Sequence, residues 1–209
     1  VQTCALPILI EDRGPLFFCA KLTGSFGRRS GLRFTARIQL LADHDDIRWD
    51  ITIENPSRAR HRDNYWDLGD PGSVLIQSLT LRVRFGDRNL KSGLWQAECG
   101  GIAHPFQGEL AIEQDSSGGE HWNSRNHIDR DGTVPLRFRG YRVTTPNTIV
   151  HEGLRADPVL CVVSGAGSIG CAPIEFWERF PTCLAAHDGQ ISVDFFPIRP
   201  RSEEHTSEL

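Results

Sequence analysis

The chain has 209 residues, 39% of them hydrophobic, and a formal net charge of −4 at pH 7. This length is enough for one domain with a substantial core, or for one domain and part of another. The weakly acidic composition lacks the strong positive charge typical of nucleic-acid-binding domains. No apolar run reaches the ~20 residues that a membrane-spanning helix needs. We therefore expect neither nucleic acid nor a membrane as a partner.

Both ends of the sequence match the translation of a sequencing adapter. Residues 201–209 (RSEEHTSEL) are encoded by AGA TCG GAA GAG CAC ACG TCT GAA CTC, the start of a widely used library adapter. Residues 1–8 (VQTCALPI) are encoded by its reverse complement in another frame. Such segments carry no information about the fold of the natural protein. We expect residues 9–200 to be the natural part of a larger, truncated protein. Without the two ends the net charge is −2, because they contain one basic and three acidic residues.

Apolar and polar residues alternate in three runs, at 32–40, 47–54 and 79–85. Such alternation is typical of strands with one face in a core and the other in water. Shorter runs, several of them bounded by turn-forming residues, predict further strands: Leu16–Leu22, Gly108–Gln114, Val134–Val143, Pro158–Val163 and Ile191–Phe196. One short helix is predicted near Ile174–Ala186, interrupted by Pro181. The expected fold is therefore all-β, an antiparallel β-sandwich with long functional loops and at most one short helix.

The alternation also predicts the core. The apolar members of the three long runs are expected to be mostly buried: Phe34, Ile38, Trp49, Ile51, Leu81 and Val83. The arginines between them are expected to face solvent or a neighbouring domain: Arg33, Arg37, Arg48 and Arg82. On this basis the change Trp49→Ala is expected to cost about 3–5 kcal/mol, as other large aromatic truncations do.

The cysteines do not form a recognisable framework. Cys4 belongs to the adapter segment, which leaves five, without CxxC spacing: Cys19, Cys99, Cys161, Cys171 and Cys183. An odd number with this spacing favours neither a set of disulfides nor a zinc site. We expect buried, unpaired thiols that act as small apolar side chains.

Two long connections, Asn55–Ser73 and Asp115–Thr133, separate the predicted strands. Structureless loops of this length are uncommon inside a compact domain and are usually functional or disordered. Their aromatic residues argue against simple disorder. Within the first loop, Tyr65–Ser73 is a candidate surface or a lid over the core.

The second loop concentrates the residue types that recognise sugars. Planar polar groups share hydrogen bonds with hydroxyls, aromatic faces cover C–H surfaces, and Arg or His binds a uronate carboxylate. The expected substrate-binding residues are Glu120, Trp122, Asn123, Asn126 and His127. The alternative is a solvated loop stabilised by its own Asx turns.

No metal or cofactor is expected. His121 and His127 lack the helical spacing of zinc ligands. The segment 129–132 (DRDG) is similar to the start of a calcium loop, but the other ligands of that motif are missing, so calcium is the weaker alternative. The acidic cluster 43–46 (DHDD) is interpreted as a turn between two strands.

The segment 165–170 (GAGSIG) contains the GxGxxG pattern of dinucleotide-binding proteins, with Asp194 further along the chain. Pro173 would lie inside the helix that this motif requires, where proline costs about 3 kcal/mol or more. The pattern is therefore interpreted as a glycine-rich turn between strands at Leu160–Ser164 and Ser168–Ala172. A fragment of a nucleotide-dependent oxidoreductase remains the third functional hypothesis.

Several ordered segments carry a resemblance to a known family. They are 11–15 (EDRGP), 54–56 (ENP), 66–72 (WDLGDPG), 114–120 (QDSSGGE), 122–124 (WNS), 126–127 (NH), 139–142 (RGYR) and 176–181 (FWERFP). Together they resemble the central β-sandwich domain of the exo-rhamnogalacturonan lyase-like family, across nearly all of residues 9–200.

The resemblance implies a modular protein with an N-terminal barrel, a central β-sandwich and a C-terminal (α/α) toroid. The implied reaction is β-elimination beside a galacturonate. It needs donors that neutralise the uronate carboxylate, a base for the adjacent carbon's proton and an acid for the leaving oxygen. His127, Arg139 and Arg142 are the catalytic candidates, without assigned roles. Strand periodicity places Arg137 and Arg139 on one face and Arg142 on the other.

The first hypothesis is thus a β-sandwich portion of a polysaccharide lyase-like enzyme. Its expected partners are an acidic polysaccharide and the missing barrel and toroid of the same chain, and this chain alone is expected to be inactive. The second hypothesis is a stand-alone carbohydrate-binding module.

Overall fold

A computed structural model describes residues 7–27, 31–57, 72, 74–84, 92–124, 134, 136–164, 167–187, 189–197 and 207–208. Within these residues the secondary structure is almost entirely antiparallel strand, which confirms the all-β prediction. The strands are β1 (Ile8–Arg13), β2 (Phe17–Ser25), β3 (Arg33–Leu41), β4 (Ile47–Glu54), β5 (Leu75–Ile76), β6 (Leu79–Arg84), β7 (Ser92–Gln96), β8 (His104–Gln107), β9 (Leu110–Gln114), β10 (Tyr141–Thr145), β11 (Thr148–Gly153), β12 (Val159–Ser164), β13 (Gly167–Cys171), β14 (Thr182–His187), β15 (Gln190–Phe196) and β16 (Ser207–Glu208).

The chain divides into two compact units, residues 1–75 with 208–209 and residues 76–207. The first unit contains one sheet with the order β1-β2-β3-β4. Ile8, which the adapter interpretation assigns to the N-terminal artefact, pairs with Leu22 at the start of β1. The two-residue strands β5 and β16 pair with each other.

The four-stranded sheet has one apolar and one polar face. Its register places Ile10, Ala20, Ile38 and Trp49 side by side across the four strands. The neighbouring row lies on the other face, because side chains alternate along each strand, and contains Lys21, Arg37 and Asp50. From the bulge in β1, the Glu11 carboxylate accepts hydrogen bonds from Arg37 Nε and Nη2 at 2.6 and 3.1 Å. The hydrogen bond to Arg37 lowers the pKa of Glu11.

The prediction that Trp49 is buried was wrong, since its side chain is 44% exposed. Besides β1–β4, the described residues of the first unit contain only parts of the two-residue strands β5 and β16, so alternation there gives an apolar face without a second large sheet to enclose it. The other five expected core residues are half-buried and not fully buried. Among the arginines, Arg33, Arg48 and Arg82 are exposed as expected, whereas Arg37 is partly covered and paired.

The second unit is a β-sandwich. A six-stranded sheet with the order β11-β10-β9-β14-β15-β6 and a four-stranded sheet with the order β13-β12-β7-β8 enclose a common core. The core residues with no exposed surface are Ile112, Tyr141, Val143, Ala156, Leu160, Val162 and Leu184. Since neighbouring strands align their inward-facing residues, Ile112 lies between Val143 and Leu184 at the centre of the larger sheet.

The glycine pattern at 165–170 belongs to a hairpin. β12 and β13 pair in antiparallel register from Leu160↔Cys171 to Ser164↔Gly167, as the turn interpretation predicted. Residues 165 and 166 lie outside the described residues. No helix follows β13 before residue 187, so this described segment lacks the helix that a dinucleotide-binding motif requires.

The short helix predicted near Ile174–Ala186 was also wrong. Residues 174–179 form turns, and β14 begins at Thr182, directly after Pro181. Proline lacks the N–H that a continuing helix needs. The following residues are buried as a central strand between β9 and β15. The strand predicted at Val134–Val143 is shorter than expected, because β10 begins only at Tyr141.

The five cysteines are free thiols. Cys19 and Cys183 are buried and Cys161 and Cys171 are half-buried, but Cys99 is exposed, so the burial prediction was wrong for that residue. Burial raises the pKa of the Cys183 thiol well above its usual value.

We predict that Trp49→Ala destabilises the first unit by only about 1 kcal/mol, since part of its area is already in water. Leu32→Ala, at a side chain only 4% exposed in the same unit, is expected to cost about 2–5 kcal/mol. Amide hydrogen exchange of β2–β4 measures both changes. A larger cost for Trp49→Ala than for Leu32→Ala would contradict the exposed apolar face.

Candidate functional site

The site is built on a buried polar segment at the end of β9. Gln114, Asp115 and Ser116 have no exposed surface. Buried polar groups are costly unless they form hydrogen bonds, so such a segment has to be fully paired. The partners of these three residues bring the chain segments around the site together.

The Gln114 amide connects this segment to the residues after β11. Its Nε2 donates to the carbonyl oxygens of Ser116 at 2.5 Å and Leu154 at 2.9 Å. Its Oε1 accepts from the Ala156 N–H at 2.9 Å. One side chain therefore fixes the loop after β9 against the segment 154–156.

The Asp115 carboxylate and the Ser116 hydroxyl hold the segment before β10. Asp115 accepts from the backbone N–H of Arg137 at 2.5 Å and of Phe138 at 3.0 Å. Ser116 Oγ accepts from the Gly140 N–H at 2.8 Å. The Arg137 guanidinium, at 3.2 Å from Asp115, also pairs with Glu113. Partial burial opposes its charge, but the two carboxylates outweigh this and raise the pKa of Arg137.

Two glycines allow these segments to approach closely. Gly118 and Gly140 have φ angles of +70° and +75°. A Cβ atom would lie 2.1 Å from the Leu154 carbonyl oxygen at Gly118, and 2.0 Å from that of Gly153 at Gly140. Only glycine combines this backbone conformation with contact at that distance.

The closely packed segments border an open cleft of about 670 Å³ in the second unit. The cleft is lined by three glycines, one leucine, two glutamates and two arginines: Gly118, Gly119, Gly153, Leu154, Glu98, Glu120, Arg139 and Arg155. The cleft therefore presents charges of both signs beside exposed backbone.

Both cleft arginines are positioned by the loop after β9. Arg139 Nε donates to the Gly118 carbonyl at 2.9 Å, and Arg155 Nε donates to the Ser117 carbonyl at 3.3 Å. The Arg155 guanidinium also lies 4.2 Å above the centre of the Trp177 ring. Among the described residues these contacts occupy only the Nε groups, so the terminal Nη donors remain available.

Glu98 provides part of the negative charge in the cleft. The Tyr141 hydroxyl, on a residue with no exposed surface, donates to Glu98 Oε1 at 2.7 Å. Burial, and secondly the bond to Glu98, raises the pKa of Tyr141. The phenol therefore stays protonated and acts as a donor that orients the carboxylate.

Of the binding residues predicted from sequence, Glu120 lies in the cleft and is exposed. Trp122 is half-buried and Asn123 is exposed, within a turn closed by the Ser124 N–H and the His121 carbonyl at 3.0 Å. Asn126 and His127, together with the calcium-loop candidates at 129–132, lie outside the described residues. Asp115 was grouped with the loop's polar surface, whereas it is a buried anchor.

The structure does not place the candidate arginines on the two strand faces that the sequence predicted. Residues 137–140 are not in a strand. Arg139 lines the cleft, while Arg142 pairs with Glu152 at 2.6 Å and stacks 4.2 Å above the Phe138 ring. Arg137 lies over the same ring at 5.4 Å. Arg137 therefore accompanies Arg142 and not Arg139, which corrects the predicted grouping.

Sequence reasoning missed Glu98 and Arg155. Both follow strands, β7 and β11, that the alternation did not predict, and neither belongs to a motif. Trp177 stood within the resemblance segment 176–181, but no pattern connected it with Arg155.

The described residues meet the requirements of neither a metal site nor a membrane-spanning helix. No cluster of three or more His, Cys, Asp or Glu side chains there could hold a metal ion. In the same residues no helix has the length and apolar character needed to cross a membrane. No family model, curated protein or solved structure matches the chain.

We predict that Gly140→Ala destabilises the second unit by about 3 kcal/mol or more, since a positive φ costs about 1–2 kcal/mol and forced overpacking about 1–3 kcal/mol. The matched control is Gly108→Ala, in the β8–β9 turn, where φ is +79° but a Cβ atom meets nothing within 4 Å. It should cost only the backbone term. Urea unfolding measures both, and equal costs would show that the close approach at Gly140 is unimportant.

Proposed function

We propose that this chain is the β-sandwich portion of a polysaccharide lyase-like protein and that its cleft binds a uronate-containing glycan of the rhamnogalacturonan type. The observation that carries the proposal is the pair of guanidinium groups, Arg139 and Arg155, that one loop directs to the same cleft. Arginine donors in fixed positions match the geometry of a carboxylate.

The other groups of the cleft suit the rest of a sugar. Glu98 and Glu120 can accept hydrogen bonds from hydroxyl groups, and the carbonyl and N–H groups of the glycine-rich lining offer further partners. The held orientation of Glu98 reduces the entropy that binding would otherwise cost. An open cleft also leaves room for a chain that continues past the bound residue.

For the complete protein we propose β-elimination. A base removes the C5 proton of the uronate, a C4–C5 double bond forms, the C4–O bond breaks, and its electron pair leaves on an oxygen that an acid protonates. The cleft arginines would neutralise the carboxylate and so acidify that proton. The base and acid would come from residues such as His127 or from the barrel and toroid that the family resemblance implies.

A stand-alone carbohydrate-binding module is the second candidate. It is favoured by the same cleft, because every group described there can bind a sugar without reacting. Turnover distinguishes the two proposals, and binding alone does not.

We predict that Arg139→Gln and Arg155→Gln each weaken binding of a galacturonate oligosaccharide by about 10-fold or more, since a hydrogen bond to a charged group contributes about 1.5–3 kcal/mol. Isothermal titration calorimetry with the whole chain measures the affinities. Arg139→Lys should recover part of the loss, because it keeps the charge without the planar fork.

The matched control is Arg82→Gln, an exposed arginine on β6, at the sheet edge opposite β11. It should leave the affinity unchanged. The same oligosaccharide with its carboxyl groups reduced should bind the wild-type chain weakly. Equal binding of the acidic and reduced ligands would contradict carboxylate recognition.

We predict that the chain alone binds the oligosaccharide without cleaving it. Elimination needs both a base and an acid, and the described residues of the cleft do not supply both. The absorbance of unsaturated uronate, followed during incubation, should stay at the level of a protein-free control. A sustained rise that Arg139→Gln abolishes would instead place the whole elimination site in this chain.

A further inference from the structure

Beside the cleft, a row of aromatic rings joins the two sheets of the sandwich. The imidazole of His104 on β8 stacks on the indole of Trp95, with ring centres 4.6 Å apart and planes at 26°. His151 on β11 lies 5.9 Å from Trp95 and 5.9 Å from Tyr141. β8 and β11 are edge strands of their sheets, so the row crosses the open side of the sandwich.

The rings in this row differ in exposure. Trp95 is 6% exposed and Tyr141 is fully buried, whereas both histidines are exposed. The buried rings therefore form a rigid support beneath two imidazoles. His104 is exposed although one face of its ring contacts Trp95, so part of the ring remains open to solvent. Aromatic faces held in this way bind the C–H surface of a sugar, and the ring nitrogens can hydrogen-bond its hydroxyl or carboxylate oxygens.

The row ends at the cleft. Tyr141 donates its hydroxyl hydrogen to Glu98, which lines the cleft. Gly153, another lining residue, packs so closely on the Tyr141 ring that a Cβ atom would lie 2.5 Å from it. From Glu98 the contacts therefore run to Tyr141, then to His151, and through Trp95 to His104.

We infer that His151 and His104 form a second sugar-binding subsite, which takes the residue next to the uronate held by Arg139 and Arg155. The inference rests on the proposed function of the cleft and adds to it the length of glycan recognised. Trp95 and Tyr141 are positioning residues, since their burial keeps them from contacting the ligand.

The experiment compares galacturonate, a monosaccharide that can fill only the cleft, with a galacturonate disaccharide, which reaches both subsites, using calorimetry on the whole chain. The wild type should bind the disaccharide more tightly. His104→Ala and His151→Ala should each weaken disaccharide binding by about 3- to 10-fold, the effect of losing one aromatic contact, and leave monosaccharide affinity within about 2-fold. His151→Phe, which keeps the ring, should retain part of the gain.

His187→Ala is the matched control, because His187 is an exposed histidine at the end of β14, paired with Glu109 and outside this row. It should change neither affinity. If the wild type binds the monosaccharide but gains nothing with the disaccharide, or if the histidine variants keep the gain, the second subsite is overturned while the cleft proposal stands. Equal losses for both ligands would also overturn it, since the histidines would then act on the first sugar. If the wild type binds neither ligand, the cleft proposal and the subsite fail together.

Discussion

The buried hydrogen bonds of Gln114, Asp115 and Ser116 are the interaction on which the site depends. Three polar residues without exposed surface must find partners inside the protein. Their partners lie on the segments 137–140 and 154–156, far along the chain from β9. Satisfying them brings the glycine-rich loop, the residues before β10 and the residues after β11 to one place. The core provides the burial that makes leaving these groups unpaired expensive.

The arrangement of charge in the cleft follows from these buried hydrogen bonds, because they fix the segments that carry the charged residues. The loop after β9 uses its carbonyl groups at 117 and 118 to receive Arg155 and Arg139. The cations are thus oriented by backbone oxygens and an indole ring, and not by carboxylates that would compete with an anionic ligand. Arg137 and Arg142 show the contrast, since each pairs with a glutamate and contacts Phe138. Carboxylate recognition is therefore proposed for the first pair and structural pairing for the second.

The two units use the same alternating pattern with different results. In the second unit two sheets face each other, and inward residues such as Ile112 and Leu184 are fully buried. In the first unit the described residues form one four-stranded sheet and parts of the two-residue strands β5 and β16, and the apolar row of the larger sheet leaves Trp49 partly in water. Alternation shows that one face of a strand is apolar. It does not show how deeply the fold buries that face.

The sequence by itself determined the all-β class, the long strands β3, β4 and β6, and the hairpin of the glycine run, because strand periodicity and proline chemistry are local properties. It also marked Glu120 and Arg139. Only the tertiary structure decided that Asp115 is an anchor, that Glu98 and Arg155 belong to the cleft, and that Trp95 supports two histidines. Several of these relations join residues that lie 38 to 56 positions apart in the chain, through hydrogen bonds and ring contacts. No local pattern encodes them, since each depends on which strands become neighbours.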